Sequence, residues 1–433
     1  MPDIGAGHQL IPSFEEAFNR TKNRPSFRTI FVNQARESYN EVQKPVKGHE
    51  QMKTQVLSGL DQISDYDRLL KGKRIGLMTN PTGMTKGFVS AVDVVFDRYK
   101  LSALFACEHG IRGDRQAGEA INSYIDPRTG VTVHSLYGAN KRMTREMTDA
   151  FDILVYDIQD VGARFYTYLY SLTYALQACA RAGKQVLVLD RINPISGLRT
   201  AGTILDATFA SFVGDYALPT RTGLTCGEYA LYIKDVLKLD VDLTIAPLQG
   251  WQRTLYLEDL DLPWVAPSPN LPTQEAALCY IGTCVFEGVN ISEGRGTTQP
   301  FQLIGAPFIK ARDLARAMND HRLPGVVFRE AAFTPVFSKH AQQLCQGVQL
   351  HIVDRELAEP FLAGLLLLET IKEQYAEHLE YLTWDEGKTY TLDKLLGTDD
   401  FRLGRLGAKA LREKHLPGIA AFVKAARPFL LYE

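Results

Sequence analysis

The run KRIGLMTNPTG, residues 73–83, decides the fold. Ile75, Leu77 and Met78 form an apolar stretch too short for a helix, and Pro81-Thr82-Gly83 closes it with turn residues. A buried strand ending in a turn is the reading. Further along stand three runs of the same kind: LSALFAC (101–107), FDILVYD (151–157) and QVLVLD (185–190). Between the opening run and LSALFAC, Val89, Val92, Val95 and Phe96 recur at helical spacing within Phe88–Tyr99. A longer helical stretch, Tyr166 to Ala182, precedes the last strand and stops at Gly183, a residue suited to a helix C-terminus. Strands alternating with helices predict a parallel sheet covered on both faces.

Farther from this centre the texture changes. Residues 1–53 carry scattered charge and short apolar clusters without a sustained period, and read as an extension that is partly disordered or laid over the body. After about residue 300 come a helix-like Ala311–Asn319, a strand-like 347–353, and amphipathic stretches at Pro360–Tyr375 and Leu406–Leu430. The expected architecture is α/β: a Rossmann-like parallel-sheet domain over residues 54–299 and a second, smaller mixed α/β C-terminal domain over 300–433.

At 433 residues, 45% hydrophobic and 23% charged, the composition is that of a globular protein with more than one core. A net charge of −2 without a polybasic block argues against nucleic acid as partner. No apolar run is long enough to span a bilayer, and the N-terminal residues lack a secretory pattern. The six cysteines form no C-x-x-C pair, which points to free thiols, a reducing compartment and a cytoplasmic location.

In parallel sheets, ligands bind beyond the carboxyl ends of the strands. The four predicted strands deliver Asn80; then Glu108 and His109; then Asp157, Gln159 and Asp160; then Asp190, Arg191 and Asn193. Loop solvation alone does not call for so many acids and amides, so a site is expected at this rim. Neither G-x-G-x-x-G nor G-x-x-x-x-G-K-[ST] is present, so the sheet does not imply a dinucleotide or a nucleoside triphosphate.

Glu108, at a strand end under a glycine-rich loop, is the candidate general acid. Cleavage of a glycosidic bond usually takes two carboxyl groups. Glu119 on the same loop is the first choice for the second, with Asp157 and Asp160 as rivals. Asp160 could equally cap a helix, and Arg164 could pair with Asp157 or clamp a ligand carboxylate. Tyr166 and the tyrosines after it are sugar platforms or core. Thr225-Cys-Gly-Glu228 reads as a capping box. Pro267-Ser-Pro-Asn270-Leu-Pro272 reads as a rigid wall. Glu293-Gly-Arg295-Gly-Thr297 belongs to a polar, glycine-dense stretch that lets backbone approach a ligand.

The motifs NPTG, EHGIRG, SLYG, DIQDVGARFYTY, DRINP, GLTCGE, PSPNLPT and EGVNISEGRGTTQPF, in this order, resemble the exo-β-N-acetylmuramidases of bacterial cell-wall recycling. The resemblance runs from about Gly59 to Tyr432. It implies hydrolysis of a non-reducing terminal N-acetylmuramic acid (MurNAc) from peptidoglycan-derived disaccharides or muropeptides such as MurNAc-GlcNAc, with no metal and no organic cofactor. It places the family's EHG glutamate on Glu108, and makes Arg112, Arg164 and Arg295 candidates for reading the lactyl carboxylate of MurNAc. Cys107, Ile111 and Ile192 depart from the proline, phenylalanine and proline usual in the family. Two other classes remain open: a metal-dependent phosphoester hydrolase using Glu108, His109, Asp157 and Asp160, and a non-catalytic sugar-binding protein.

Overall fold

Asn80-Pro81, Asp157 and Asp190 close three of the four central apolar runs and set those strand boundaries. The structure is a computed structural model that describes residues 53–108, 110–112, 123–136, 141–384 and 387–433. Of the expected extension, residues 1–52 lie outside this range, as do His109 and Glu119.

The strands are β1 (Arg74–Thr79), β2 (Lys100–Ala106), β3 (Tyr124–Ile125), β4 (Thr132–Ser135), β5 (Ile153–Asp157), β6 (Gln185–Leu189), a hairpin of β7 (Ala201–Ile204) and β8 (Pro219–Arg221), and β9 (Leu243–Ala246). Seven of them make one sheet in the order β3-β4-β2-β1-β5-β6-β9. Every neighbouring pair is parallel except β3–β4. The four strands read from the sequence are its centre. The unexpected members β4 and β9 are only four residues long, too short to leave a periodic signal.

The side-chain period of two divides the core. Ile75, Leu77, Ile153, Val155, Leu187 and Leu189 face one apolar layer, while Met78, Phe105, Leu154, Tyr156, Val186 and Val188 face the other. Ala91–Arg98 covers the first layer with Ala91, Val92, Val94 and Val95. This corrects the expected face: Val89 and Phe96 are exposed. The helix starts later than its periodicity implied, because Ser90 accepts from the Val92 N–H and caps it. Tyr168–Ala182 covers the second layer and ends at Gly183 in the left-handed region (φ 63°).

Beyond residue 300, β10 (Leu303–Ala306), β11 (Val326–Phe333) and β12 (Cys345–Ile352) form an antiparallel sheet in the order β10-β12-β11. Its Ile304, Val348 and Leu350 belong to the same apolar cluster as Phe105 and Tyr156. The helices Gln274–Thr283 and Pro360–Gln374 cross at Gly282 and Gly364, where an added methyl would run into backbone carbonyls on the opposite helix. Gly282→Ala is therefore expected to destabilise the fold by about 1–3 kcal/mol or more, measured by urea unfolding. A cost below about 0.5 kcal/mol would mean the helices can part freely. No helix of the described residues is long and apolar enough to cross a membrane.

Candidate active site

Parallel register aligns the carboxyl ends of the strands. Thr79 lies opposite Ala106 on one side and Asp157 on the other. Asn80, Glu108 and the Asp157–Asp160 turn therefore leave the sheet side by side. The strand order reverses between β1 and β5, where doubly wound sheets open a crevice. A cleft of about 50 Å³ lies there, bounded by Thr82, Lys86, Gln159, Arg191 and Trp264; Glu108, Asp160 and Tyr166 are not among its lining residues.

Glu108 is half-buried at the end of β2. Thr167 donates its hydroxyl to Glu108 Oε2 at 3.3 Å. Thr167 is the N-cap residue of Tyr168–Ala182, yet its side chain does not cap that helix. The Tyr168 hydroxyl donates to the Pro267 carbonyl at 2.9 Å and lies 3.4 Å from the Glu108 carbonyl, tying the proline-rich segment to the same corner. Sequence reasoning missed Thr167, and nothing in the chain distinguishes its hydroxyl from an ordinary cap.

Three buried polar atoms of the rim residues lack a hydrogen-bond partner among the described residues: Asn80 Nδ2, Asp160 Oδ2 and the Tyr166 hydroxyl. Asn80 Oδ1 accepts from Thr82 N–H at 3.0 Å. Asp160 Oδ1 accepts from Gly162 N–H at 2.7 Å, so one carboxylate oxygen is used by its own turn and the other is not. Gly162 (φ 77°) makes that turn and packs against the Asn193 amide, where a side chain would collide. Burial pushes the Asp160 carboxyl up to about 7.

The folded chain thus holds the Asp160 proton more tightly than the unfolded chain, whose carboxyl stays near the ordinary 3.8. Stability from this group is full at low pH and falls as pH rises from about 3.8 through about 7. Asp160→Asn is expected to abolish that fall, so its Tm rises relative to wild type across the window. Parallel Tm–pH curves would refute the assignment.

The other predicted residues make the following contacts. Asp157 is buried in a two-pronged ion pair with Arg191, at 2.5 Å and 2.9 Å, and Arg191 also donates to the Met84 carbonyl. Arg164 is fully buried and donates to the carbonyls of Thr203, Leu218 and Leu395. Asp157 pairs with Arg191 and not with Arg164, whose burial pushes its guanidinium down to about 10. Arg112 is held by both oxygens of buried Asp126, at 2.8 Å and 3.0 Å. Asn193 braces its loop through the Leu224 carbonyl and the Ile195 N–H. Asn270 is buried in the proline-rich segment.

Arg295 bridges Glu287 and Glu293, Lys339 pairs with Glu293, and Thr297 bonds the Gly294 carbonyl, so this stretch is internally satisfied. It reaches the rim through rings: Arg295 lies over Phe301, which packs on Tyr280, which packs edge-on to Tyr166. The capping box is present, with Glu228 also paired to Arg253. Asp190 accepts from Thr225, Gly227 and Tyr432, anchoring the C-terminal residues.

The three departures from the family pattern sit in apolar packing: Cys107, Ile111 and Ile192 are all buried. All six cysteines are free and buried. Among the described residues no group of three or more His, Cys, Asp or Glu is placed to hold a metal ion.

A half-buried carboxylate at the carboxyl edge of a doubly wound sheet, beside a cleft at the strand-order reversal, defines the class: an α/β protein with its candidate ligand site at the strand ends. Comparison with known proteins narrows the class. Residues 75–275 match the family model described as exo-beta-N-acetylmuramidase NamZ, N-terminal, and residues 278–432 its C-terminal counterpart. The chain is 45% identical over 386 residues to the peptidoglycan beta-N-acetylmuramidase NamZ of Bacillus subtilis (strain 168), covering 88% of this chain and 92% of that protein. Two crystal structures of DUF1343 family proteins from Bacteroides fragilis NCTC 9343 are similar, at TM-scores of 0.81 and 0.69 and identities of 31% and 30%, each covering 87% of this chain and 99% of the other. The chain belongs to the exo-beta-N-acetylmuramidase NamZ family.

Proposed function

We propose that this protein is an exo-acting glycoside hydrolase that releases non-reducing terminal MurNAc from peptidoglycan fragments such as MurNAc-GlcNAc, with Glu108 protonating the leaving oxygen. The identity to a peptidoglycan beta-N-acetylmuramidase supports the reaction. The observation that carries the site is Glu108 itself: half-buried, at the end of β2, and bonded by the Thr167 hydroxyl at the helix start across the sheet.

Asp157 is committed to Arg191, which leaves Asp160 as the second carboxyl group among the described residues nearest this role; Glu119 lies outside them. Of the three arginines, Arg112 keeps the most exposed side chain and is the reader we assign to the lactyl carboxylate. The division near residue 300 into a catalytic part and a smaller part is kept in this reading. Six unpaired cysteines fit a reducing compartment and cytoplasmic work on imported fragments. Purified protein treated with chelator is expected to release MurNAc from MurNAc-GlcNAc. No release, with or without added divalent metal, sinks the proposal; release only with metal favours metal-assisted chemistry at the same rim.

A further inference from the structure

Beside Glu108 the structure holds an unmet acceptor and an unmet donor, and their chemistry is complementary to one functional group. The acceptor is Asp160 Oδ2; the donor is the Tyr166 hydroxyl. Both side chains are more than nine-tenths buried. Tyr166 is an electrostatic neighbour of both Glu108 and Asp160. The Tyr168 ring packs edge-on to it, and the Tyr168 hydroxyl donates to the Pro267 carbonyl at 2.9 Å. A polar atom taken out of water without a partner is costly, and a protein keeps such atoms where a ligand completes them.

A secondary amide presents one N–H and one carbonyl oxygen pointing in opposite directions. A sugar hydroxyl, which donates and accepts at one oxygen, matches two separate groups less well. We propose that Asp160 and Tyr166 read the 2-acetamido group of the terminal sugar, the carboxylate accepting its N–H and the phenol donating to its carbonyl oxygen. This rests on the hydrolase reading above and adds the residues that select an N-acetylated sugar. The protonation states fit. Burial keeps the Tyr166 phenol protonated as a donor, and the Asp160 carboxyl changes charge near neutrality, so an incoming N–H can draw it into the acceptor form. Tyr166 is also fixed in place, edge-on to Tyr168 at 4.9 Å and to Tyr280 at 6.1 Å. Orienting the acetamide next to Glu108 would set the sugar's position relative to the acid.

The test measures binding of MurNAc and of 3-O-lactylglucose, the same sugar with a hydroxyl in place of the acetamide, by calorimetry. Wild type is expected to prefer MurNAc by about 100-fold or more, because a site built to bond an amide rejects the analogue that lacks it. In Tyr166→Phe and Asp160→Asn the preference should shrink to about tenfold or less, through loss of MurNAc affinity and not gain for the analogue. Tyr166→Phe removes a hydroxyl without a hydrogen-bond partner among the described residues, so it keeps the test open should Asp160→Asn not fold. A wild type without preference, or variants that weaken both sugars alike, overturns the proposal while leaving MurNAc release intact. A wild type that neither binds MurNAc nor cleaves MurNAc-GlcNAc overturns the hydrolase reading and this one together.

Discussion

Glu108→Gln is expected to lower kcat on MurNAc-GlcNAc by about 10²–10⁴-fold, the usual contribution of a positioned general acid. Glutamine keeps the shape of the side chain and an oxygen for the Thr167 hydroxyl, which bonds Oε2 at 3.3 Å. Folding and KM should therefore change little, and the loss should appear in kcat. The variant cannot supply a proton to the departing sugar oxygen. The defect should thus be smaller for a MurNAc glycoside of 4-nitrophenol, whose leaving oxygen needs little protonation. Turnover within about tenfold of wild type on the disaccharide would remove Glu108 from the role of acid. A protein that only binds sugar would keep its affinity in this variant and show no turnover in wild type.

The second large effect concerns stability. Asp157→Ala is expected to cost about 3–5 kcal/mol in urea unfolding at neutral pH, because it leaves Arg191 charged and buried without its partner. The side chains of Asp157 and Arg191 are 1% and 10% exposed, so water cannot replace the lost contact. Removing both charges with Asp157→Leu and Arg191→Met should recover much of the loss, as expected when the penalty comes from the orphaned cation and not from loss of the pair. A single-variant cost below about 1 kcal/mol would place the pair among solvent-screened surface bridges. The ion pair also commits both carboxylate oxygens of Asp157, one of the rivals for the second carboxyl role, to Arg191.

Much of the rim was legible before any coordinates. The runs at 73–80, 101–107, 151–157 and 185–190 become β1, β2, β5 and β6 with ends shifted by at most two residues. An apolar run bounded by turn residues carries its own limits. Gly183 and the Thr225–Glu228 box were legible for the same reason: a helix end depends on residues within one turn of it. Helix facing was less so. Val89 and Phe96 match the apolar period of Ala91–Arg98 but lie outside the core, because period alone does not say which stripe meets the sheet.

What the sequence by itself determined was therefore the α/β order, the carboxyl edge as the site, and the short list of acids, amides and arginines that could work there. Only the tertiary structure decided which of them are free. Asp157 and Asp160 are three residues apart in the same turn, yet one is neutralised by Arg191, 34 positions on, and the other keeps an unmet oxygen. Arg164 is drawn inward by carbonyls 39, 54 and 231 positions away. Glu108 owes its setting to Thr167, 59 positions later on a helix that packs across the sheet. Ion pairs and hydrogen bonds of this span depend on strand register and helix placement, and a buried polar atom is satisfied or orphaned only once those are set. Local residue patterns report the supply of charge at the rim; long-range packing decides how much of it remains available to a ligand.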